Sequence, residues 1–205
     1  RDDPDDLVRA RARRLLAEKC GEDPASFRFR AVTPRLSKSD YARLARLADT
    51  GRPVATVETT RGSFRIELLP DEAPMTVDSF ASLARRGFFD GTTIHRVVPD
   101  FVVQAGDPRG DGTGGPGYAL RDELNPRPYA RGTVGMALSG PDTGGSQWFV
   151  TLSRQPHLDG AYTVFGQVTG GMDVVDRIEQ NDRLLSVKVA EGTREAPAGA
   201  AASPP

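Results

Sequence analysis

Short hydrophobic runs with period-two alternation, separated by glycines, occupy most of the chain after residue 53. The runs 54–59 and 63–68 flank Thr60-Arg61-Gly62, and this spacing predicts a β-hairpin. Further runs rich in β-branched and aromatic residues predict strands at residues 132–137, 147–152, 164–168 and 184–189. Many short strands with glycine punctuation are typical of an all-β fold whose sheet closes into a barrel.

Helical spacing of apolar residues occurs in only two segments of this barrel region. The first covers residues 74–86, with Pro74 at its start, Gly87 after its end and an apolar face that includes Val77 and Phe80. The second is a short helix at residues 172–178. Two helices among so many strands leave the prediction of an all-β barrel unchanged.

The first 52 residues have a different pattern and predict a helical N-terminal extension. Apolar stripes predict helices at residues 3–20 and 40–48, the second capped by Ser39 and ended by Gly51. An alternating run at residues 27–32 predicts an edge strand between them. Residues 5–12 faintly resemble the second helix of a HEAT repeat. Because a single copy has no period, the extension could either pack on the barrel or end a helical repeat array.

Composition sets limits on the kind of protein this is. The chain has 205 residues, 38% of them hydrophobic, which is enough for one core or for one domain with an extension. Residues 191–205 are rich in Ala, Gly and Pro and predict a disordered tail. A net charge of −1 argues against a nucleic-acid-binding protein, and no stretch approaches the ~20 apolar residues of a membrane span.

The rarer residue types exclude several kinds of site. One cysteine and two histidines, far apart in the sequence, argue against a disulfide and against a zinc site. The loop 110–117 has the glycine spacing of a dinucleotide-binding fingerprint, but Pro116 and Gly117 prevent the helix that such a site requires. We therefore expect no metal and no cofactor.

The start of the chain bears on where the protein works. No secretory signal pattern is visible, so we expect a soluble protein, with a cytoplasmic location slightly favoured over an exported one. The chain does not begin with Met, which indicates processing or a piece of a longer protein.

Residues 94–107 carry the side chains that point most clearly to chemistry. Two apolar runs flank Pro99-Asp100 and predict two antiparallel strands joined by a tight turn. Arg96, Phe101 and Gln104 are set in this apolar frame as a cation, a ring and an amide. An isolated arginine in such a run is an edge-strand residue with its head in solvent, or it belongs to a functional site. The adjacent His95 is predicted to be hydrogen-bonded and partly buried rather than a catalytic base.

Four segments, taken in order and with their spacing, resemble the cyclophilin family. Residues 88–107 resemble the family signature, and the other three segments are 112–115, 135–137 with 144–149, and 158–160 with 164–166. The similarity covers about residues 53–190. It implies a closed eight-stranded antiparallel barrel capped by two helices, with peptidyl-prolyl cis-trans isomerase activity.

The resemblance also implies a role for individual residues. Arg96 would be the catalytic arginine, and Gln104 would hold the substrate backbone. The backbone of Leu138 would pair with the residue before proline, and Gly112 would border a second pocket for residues that precede the proline. The other implied substrate-binding residues are His95, Phe101, Val102, Ala137, Gln147, Phe149, His157, Leu158 and Tyr162.

This sequence departs from the best-known eukaryotic pattern and looks like the bacterial kind. His157 stands where those enzymes have a tryptophan that contacts cyclosporin, and Tyr162 stands where they have histidine. The resemblance therefore implies proline-containing peptides and folding proteins as partners, with at most weak cyclosporin binding. The alternative function is a low-turnover module that binds proline segments within a larger assembly.

Overall fold

The computed structural model describes residues 37–49 and 51–190. The predicted helix at 3–20, the predicted edge strand at 27–32 and the predicted tail at 191–205 lie outside the described residues. The described α-helices are α1 (Lys38–Asp49), α2 (Pro74–Arg85) and α3 (Met172–Asp176), and a short 3₁₀ helix covers Pro156–Leu158. The described strands are β1 (Val54–Thr59), β2 (Gly62–Leu68), β3 (Arg96–Val98), β4 (Val102–Ala105), β5 (Thr133–Met136), β6 (Trp148–Thr151), β7 (Val164–Gly170) and β8 (Leu184–Ala190).

All eight described strands belong to one antiparallel sheet in the order β3-β4-β6-β5-β7-β2-β1-β8. The two ends of this sheet are joined by short pairings outside the strands. Thr93 bridges Arg183, and the Ile94 amide donates to the Asp182 carbonyl at 2.8 Å. The prediction of an all-β, eight-stranded antiparallel barrel is therefore confirmed, and a few irregular pairings provide its closure.

Strand positions follow the hydrophobic pattern closely. Thr59 pairs with Gly62 across the predicted hairpin, and Gly62 has a φ of +123°, which favours glycine. The predicted turn in the central stretch is also present, with Asp100 at a φ of 56°. Strand β7 extends to Gly170, two residues past its predicted end.

The barrel core is filled by aromatic and branched side chains from both the sheet and α2. Phe80 of α2 packs at ring-centroid distances of 5.2 to 5.9 Å from Phe89, Trp148 and Phe165. Val77 is also fully buried, so the predicted apolar face of this helix is confirmed. Aromatic rings at such distances add to the free energy gained from burial.

The N-terminus of α2 is capped from a distant loop. Ala73, at the N-cap position, has no side-chain acceptor. Instead, the Glu123 carboxylate accepts the Met75 amide at 2.9 Å and the Thr76 amide at 2.7 Å. A carboxylate at this end of a helix also interacts favourably with the helix dipole.

Helix α1 begins earlier than predicted and packs on the barrel. The prediction that Ser39 caps it was wrong, because Ser37 does so: its hydroxyl accepts the Asp40 amide at 3.2 Å, and its amide donates to the Asp40 carboxylate at 2.8 Å. Leu44 is buried, and Arg43 forms an ion pair with Asp78 of α2. This part of the predicted extension therefore contacts the barrel. None of the described helices has the length and apolarity needed to cross a membrane.

Candidate active site

One row of residues across four strands forms the centre of the site. Arg96 of β3 lies opposite Gln104 of β4, Gln104 lies opposite Phe149 of β6, and Phe149 lies opposite Gly135 of β5. Directly opposed residues of antiparallel strands place their side chains on the same face of the sheet. The neighbouring row, which includes Val103, points into the core. Sheet register thus brings a cation, an amide and an aromatic ring together on the outer face of the barrel.

The arginine is held by both an amide and an aromatic ring. Arg96 Nη1 donates to Gln104 Oε1 at 3.3 Å, and its guanidinium carbon lies 5.4 Å from the centroid of the Phe101 ring. A cation at this distance from an aromatic face is attracted by the ring quadrupole. Arg96 is otherwise exposed, so its remaining donors can reach a substrate.

Two glutamine side chains form a chain of hydrogen bonds that leads away from Arg96. Gln104 Nε2 donates to Gln147 Oε1 at 3.0 Å, and Gln147 Nε2 donates to the carbonyls of Gly112 at 3.1 Å and Gly114 at 2.9 Å. Arginine has no acceptor, so Gln104 must turn its oxygen towards Arg96 and its NH₂ group towards Gln147. The orientation of both amides is therefore set by the hydrogen bonds at the two ends of this chain.

A cavity of about 210 Å³ with apolar buried walls opens beside Arg96. Its buried walls are Val102, Phe149 and Leu158, with exposures of 2%, 5% and 5%. Tyr162 meets Phe149 edge to face at 5.9 Å. The full lining is Arg96, Phe101, Val102, Gln104, Ala137, Leu138, Phe149, Leu158 and Tyr162. The structure thus brings nine of the thirteen predicted site residues around one small cavity.

A second cavity of about 320 Å³ adjoins the first and shares Gln104, Ala137 and Leu138 with it. The glycine loop forms one wall, which includes the predicted Gly112, and Gln147 also lines this second cavity. Leu120 and Gly144 pair beside it, with the Leu120 amide donating to the Gly144 carbonyl at 2.6 Å. An extended peptide seated in the first cavity could continue into the second.

The two histidines lie outside both cavities. His157, on the 3₁₀ helix, is exposed and stacks on Phe101 at a centroid distance of 5.5 Å. His95 is partly buried, as predicted, and its ring nitrogens make no hydrogen bond of full geometry to a described residue, although Gln147 lies near enough to favour the protonated ring. Burial lowers the pKa of His95, while the charge of Asp107 opposes that shift. Because His95 does not line either cavity, it fits a supporting role better than a catalytic one.

The role of Tyr129 was not predicted from the sequence. Its ring is fully buried and stacks behind Phe149 at 5.6 Å with an interplanar angle of 23°. Burial raises the pKa of Tyr129 well above its usual range, so the phenol stays neutral. Tyr129 lies in an irregular proline-rich segment, and only its proximity to a predicted strand could have suggested that it supports a pocket wall.

Residues 37–49 and 51–190 contain no set of side chains that could bind a metal ion. No three His, Cys, Asp or Glu side chains in those ranges come close enough together to hold an ion. The side chains that line the two cavities offer hydrogen bonds and charge from Arg96 and the glutamines, beside apolar walls.

Comparisons with known proteins agree on one family. Residues 54–197 match the family described as cyclophilin type peptidyl-prolyl cis-trans isomerase/CLD. A peptidyl-prolyl cis-trans isomerase of Synechococcus elongatus is 47% identical over 137 residues, covering 66% of this chain and 94% of that protein. Peptidyl-prolyl cis-trans isomerase B of Bacillus subtilis is 49% identical over 125 residues, covering 60% of this chain and 87% of that protein.

Solved structures give the same result for the fold. A cyclophilin type peptidyl-prolyl cis-trans isomerase of Cryptosporidium parvum superposes with a TM-score of 0.65 at 28% identity, covering 69% of this chain and 99% of that one. The same Cryptosporidium parvum protein, crystallised in the presence of the dipeptide Ala-Pro, superposes with a TM-score of 0.64. With family, sequence and fold in agreement, this chain belongs to the cyclophilin-type peptidyl-prolyl cis-trans isomerases.

Proposed function

We propose that this chain isomerises X–Pro bonds with Arg96 as its catalytic residue, and that the 210 Å³ cavity holds the proline ring. One observation carries this assignment: the exposed Arg96 guanidinium contacts Gln104 and Phe101 and lines a small cavity whose buried walls are apolar. Val102, Phe149 and Leu158 supply stiff walls for the ring.

The reaction needs a donor aimed at the prolyl nitrogen. Amide resonance sets a barrier of about 18–20 kcal/mol to rotation of the X–Pro bond, and the nitrogen lone pair becomes available only as the bond twists. A guanidinium donates to this lone pair and does not deprotonate near neutral pH. Its hydrogen bond is therefore stronger in the twisted state than in either ground state, which is the condition for catalysis.

Arg96 alone accounts for part of the rate enhancement. A hydrogen bond to a charged group contributes about 1.5–3 kcal/mol, and each tenfold in rate needs about 1.4 kcal/mol. The remainder comes from immobilising the proline ring while the preceding part of the substrate rotates. Phe101 and Phe149 serve this purpose because aromatic rings have few rotatable bonds.

The substrate class follows from the two joined cavities. Proline occupies the apolar one, and the residues before it extend along Ala137 and Leu138 into the glycine-lined one. We assign proline-containing peptides and folding proteins as substrates, in keeping with a role in protein folding. The stacked His157 offers a smaller surface than tryptophan, so we expect cyclosporin to bind weakly.

The alternative function, a low-turnover module that binds proline segments, is not favoured by the site. Binding of a proline segment needs the cavity walls and Gln104, whereas a guanidinium held at the cavity by Gln104 interacts most strongly with a twisting amide. The presence of this guanidinium supports turnover.

NMR exchange spectroscopy on a short Ala-Pro peptide tests the proposal directly. Wild type should produce fast cis-trans exchange, and Arg96→Ala should slow it by about tenfold to 100-fold while peptide affinity changes less than threefold. Arg131→Ala removes an exposed arginine that pairs with Asp176, and serves as the matched control with unchanged exchange. If the wild-type protein binds the peptide without accelerating cis-trans exchange, the isomerase proposal is overturned and the proline-binding module remains as the function.

A further inference from the structure

Asp107 is a buried carboxylate for which the proposed mechanism has no direct use. It follows β4 and is fully buried. Its Oδ1 accepts the Arg109 amide at 2.8 Å, and its Oδ2 accepts the amides of Asp111 at 3.0 Å and Gly112 at 2.5 Å. Three backbone donors compensate for the cost of removing one carboxylate from water.

The glycine loop is wrapped tightly around this carboxylate. Gly110 and Gly112 have φ values of +71° and +86°, which bring successive amides to the same side. A Cβ at Gly114 would lie 2.1 Å from Asp107 Oδ1, so only glycine fits there. The path of the loop from residue 109 to residue 114 is therefore determined by Asp107.

This loop supplies the acceptors at the far end of the glutamine chain. The carbonyls of Gly112 and Gly114 both accept from Gln147 Nε2, and Gln147 Oε1 accepts from Gln104 Nε2. Gln104 Oε1 then accepts from Arg96. A continuous path of hydrogen bonds and short backbone segments thus joins a buried anion to the exposed guanidinium.

We propose that Asp107 is a positioning residue for Arg96, acting through the glycine loop and the amides of Gln147 and Gln104. This inference rests on the proposed role of Arg96 in catalysis. Asp107 fixes the two carbonyls, the carbonyls fix Gln147, and Gln147 turns the oxygen of Gln104 towards the guanidinium. Without the Asp107 carboxylate, Arg96 keeps its charge and its place on β3, but its side chain samples more orientations. A smaller fraction of these orientations directs the guanidinium at the prolyl nitrogen.

The substitution Asp107→Asn separates positioning from simple burial. Asparagine has nearly the same shape, but only one of its two terminal atoms accepts, so an NH₂ group would face at least one backbone N–H. The loop must then shift while its length and volume stay the same. The expected result is a cis-trans exchange rate at saturating Ala-Pro peptide that falls about fivefold to 20-fold, with peptide dissociation constants within twofold of wild type.

Asp182→Asn is the matched control. Asp182 also accepts a backbone amide, from Glu179 at 2.7 Å, and it accepts from Thr60 and Arg61, but it shares no hydrogen bond with the site residues. Replacing a carboxylate whose role is purely structural lowers the melting temperature of the protein without slowing cis-trans exchange. Asp182→Asn should do this, whereas Asp107→Asn should slow exchange even far below its melting temperature.

A double-mutant cycle tests the path itself. If Asp107 acts through Gln147, then Asp107→Asn combined with Gln147→Ala should exchange peptide no more slowly than Gln147→Ala alone. If the two substitutions slow exchange independently, so that the fold-change of the double variant equals the product of the two single fold-changes, the proposal is overturned. An Asp107→Asn protein that is less stable but exchanges at the wild-type rate would also overturn it.

A second variant keeps the test decisive if Asp107→Asn does not fold. Gly112→Ala retains the carboxylate but strains the loop at a positive φ, with no atom closer than His95 Cδ2 at 4.0 Å. The folded variant should exchange at least threefold more slowly, and an unchanged rate would refute the proposal. Arg96→Ala in the same experiment checks the proposed function separately, because its failure to slow exchange would overturn the catalytic role of Arg96 whatever the Asp107 variants do.

Discussion

The Tyr129 hydroxyl occupies the space that a side chain at position 135 would need. A Cβ built on Gly135 would lie 2.3 Å from that oxygen and 2.6 Å from Phe149 Cζ. Tyr129 and Phe149 are stacked, so the absence of a side chain at Gly135 lets the two rings meet behind the proline cavity. The wall of the cavity is therefore two rings deep.

Gly135→Ala should displace Phe149 into the cavity. We expect a lower affinity for Ala-Pro peptides by about threefold to tenfold and a loss of about 1–3 kcal/mol in the free energy of unfolding, the usual cost of overpacking. Peptide titration and urea denaturation measure the two effects. The double variant Gly135→Ala with Tyr129→Phe removes the hydroxyl nearest to the new methyl group, and it should recover part of both losses. No recovery would show that the rings are not coupled.

Glu123→Gln should destabilise α2 without touching catalysis. The variant replaces one acceptor oxygen at the helix N-terminus by an NH₂ group, which would face the amide of either Met75 or Thr76. Loss of a cap of this kind costs about 1–2 kcal/mol. Urea denaturation gives the stability, and peptide exchange gives the activity. Glu179→Gln, at an exposed ion pair with Arg61, is the control and should change stability by less than half as much.

Acid stability should depend on Asp182. Burial opposes ionisation of this carboxyl, but the Glu179 amide and the Arg61 guanidinium outweigh burial and hold its pKa below the usual value. A depressed carboxyl pKa contributes stability above the unfolded-state pKa of about 4, and that contribution is lost as pH falls through the folded-state pKa. Asp182→Asn should therefore be less stable than wild type at neutral pH, and this difference should narrow as the pH falls below about 4.

Unfolding free energies measured by urea denaturation between pH 2 and pH 7 test this difference. A constant gap between the two proteins across that range would contradict the assigned pKa direction.

His157→Trp should strengthen cyclosporin binding. A tryptophan in this place would stack on Phe101 with a larger apolar surface, as His157 now does with its smaller ring. We expect at least a tenfold gain in cyclosporin affinity, measured by isothermal titration, with Ala-Pro exchange within about threefold of wild type. His157→Ala is the matched control and should not gain affinity. An unchanged cyclosporin affinity in His157→Trp would show that other positions limit binding.

The local elements of this protein could be predicted from the sequence because each follows from its own residues. Pro74, the apolar stripe and Gly87 were enough to predict α2, and alternation was enough for the first hairpin. The helix cap at Ser37 was missed because Ser37 and Ser39 are both good caps, and only the backbone decides where the first turn begins.

The site was less accessible to local reasoning. Arg96, Gln104, Phe149 and Gly135 come from segments far apart in the chain, and only the register of four strands places them in one row. The grouping of Arg96, Gln104 and Phe149 was predicted through resemblance to a family, whereas the place of Gly135 in this row was not. Tyr129 and Asp107 act from behind the site through stacking and backbone hydrogen bonds, and neither contact leaves a periodic pattern in the sequence.

The pairing of the sheet ends also bears on synthesis. Strand β1 lies between β2 and β8, and the residues before β8 pair with the residues before β3. During translation, β1 therefore emerges from the ribosome long before its neighbour β8. The barrel stays open, with the edges of β1 and β3 exposed, until residues 181–190 emerge. Nascent chains that end before residue 181 should be prone to edge-to-edge association. This folding enzyme itself completes its fold only at the end of translation of its barrel.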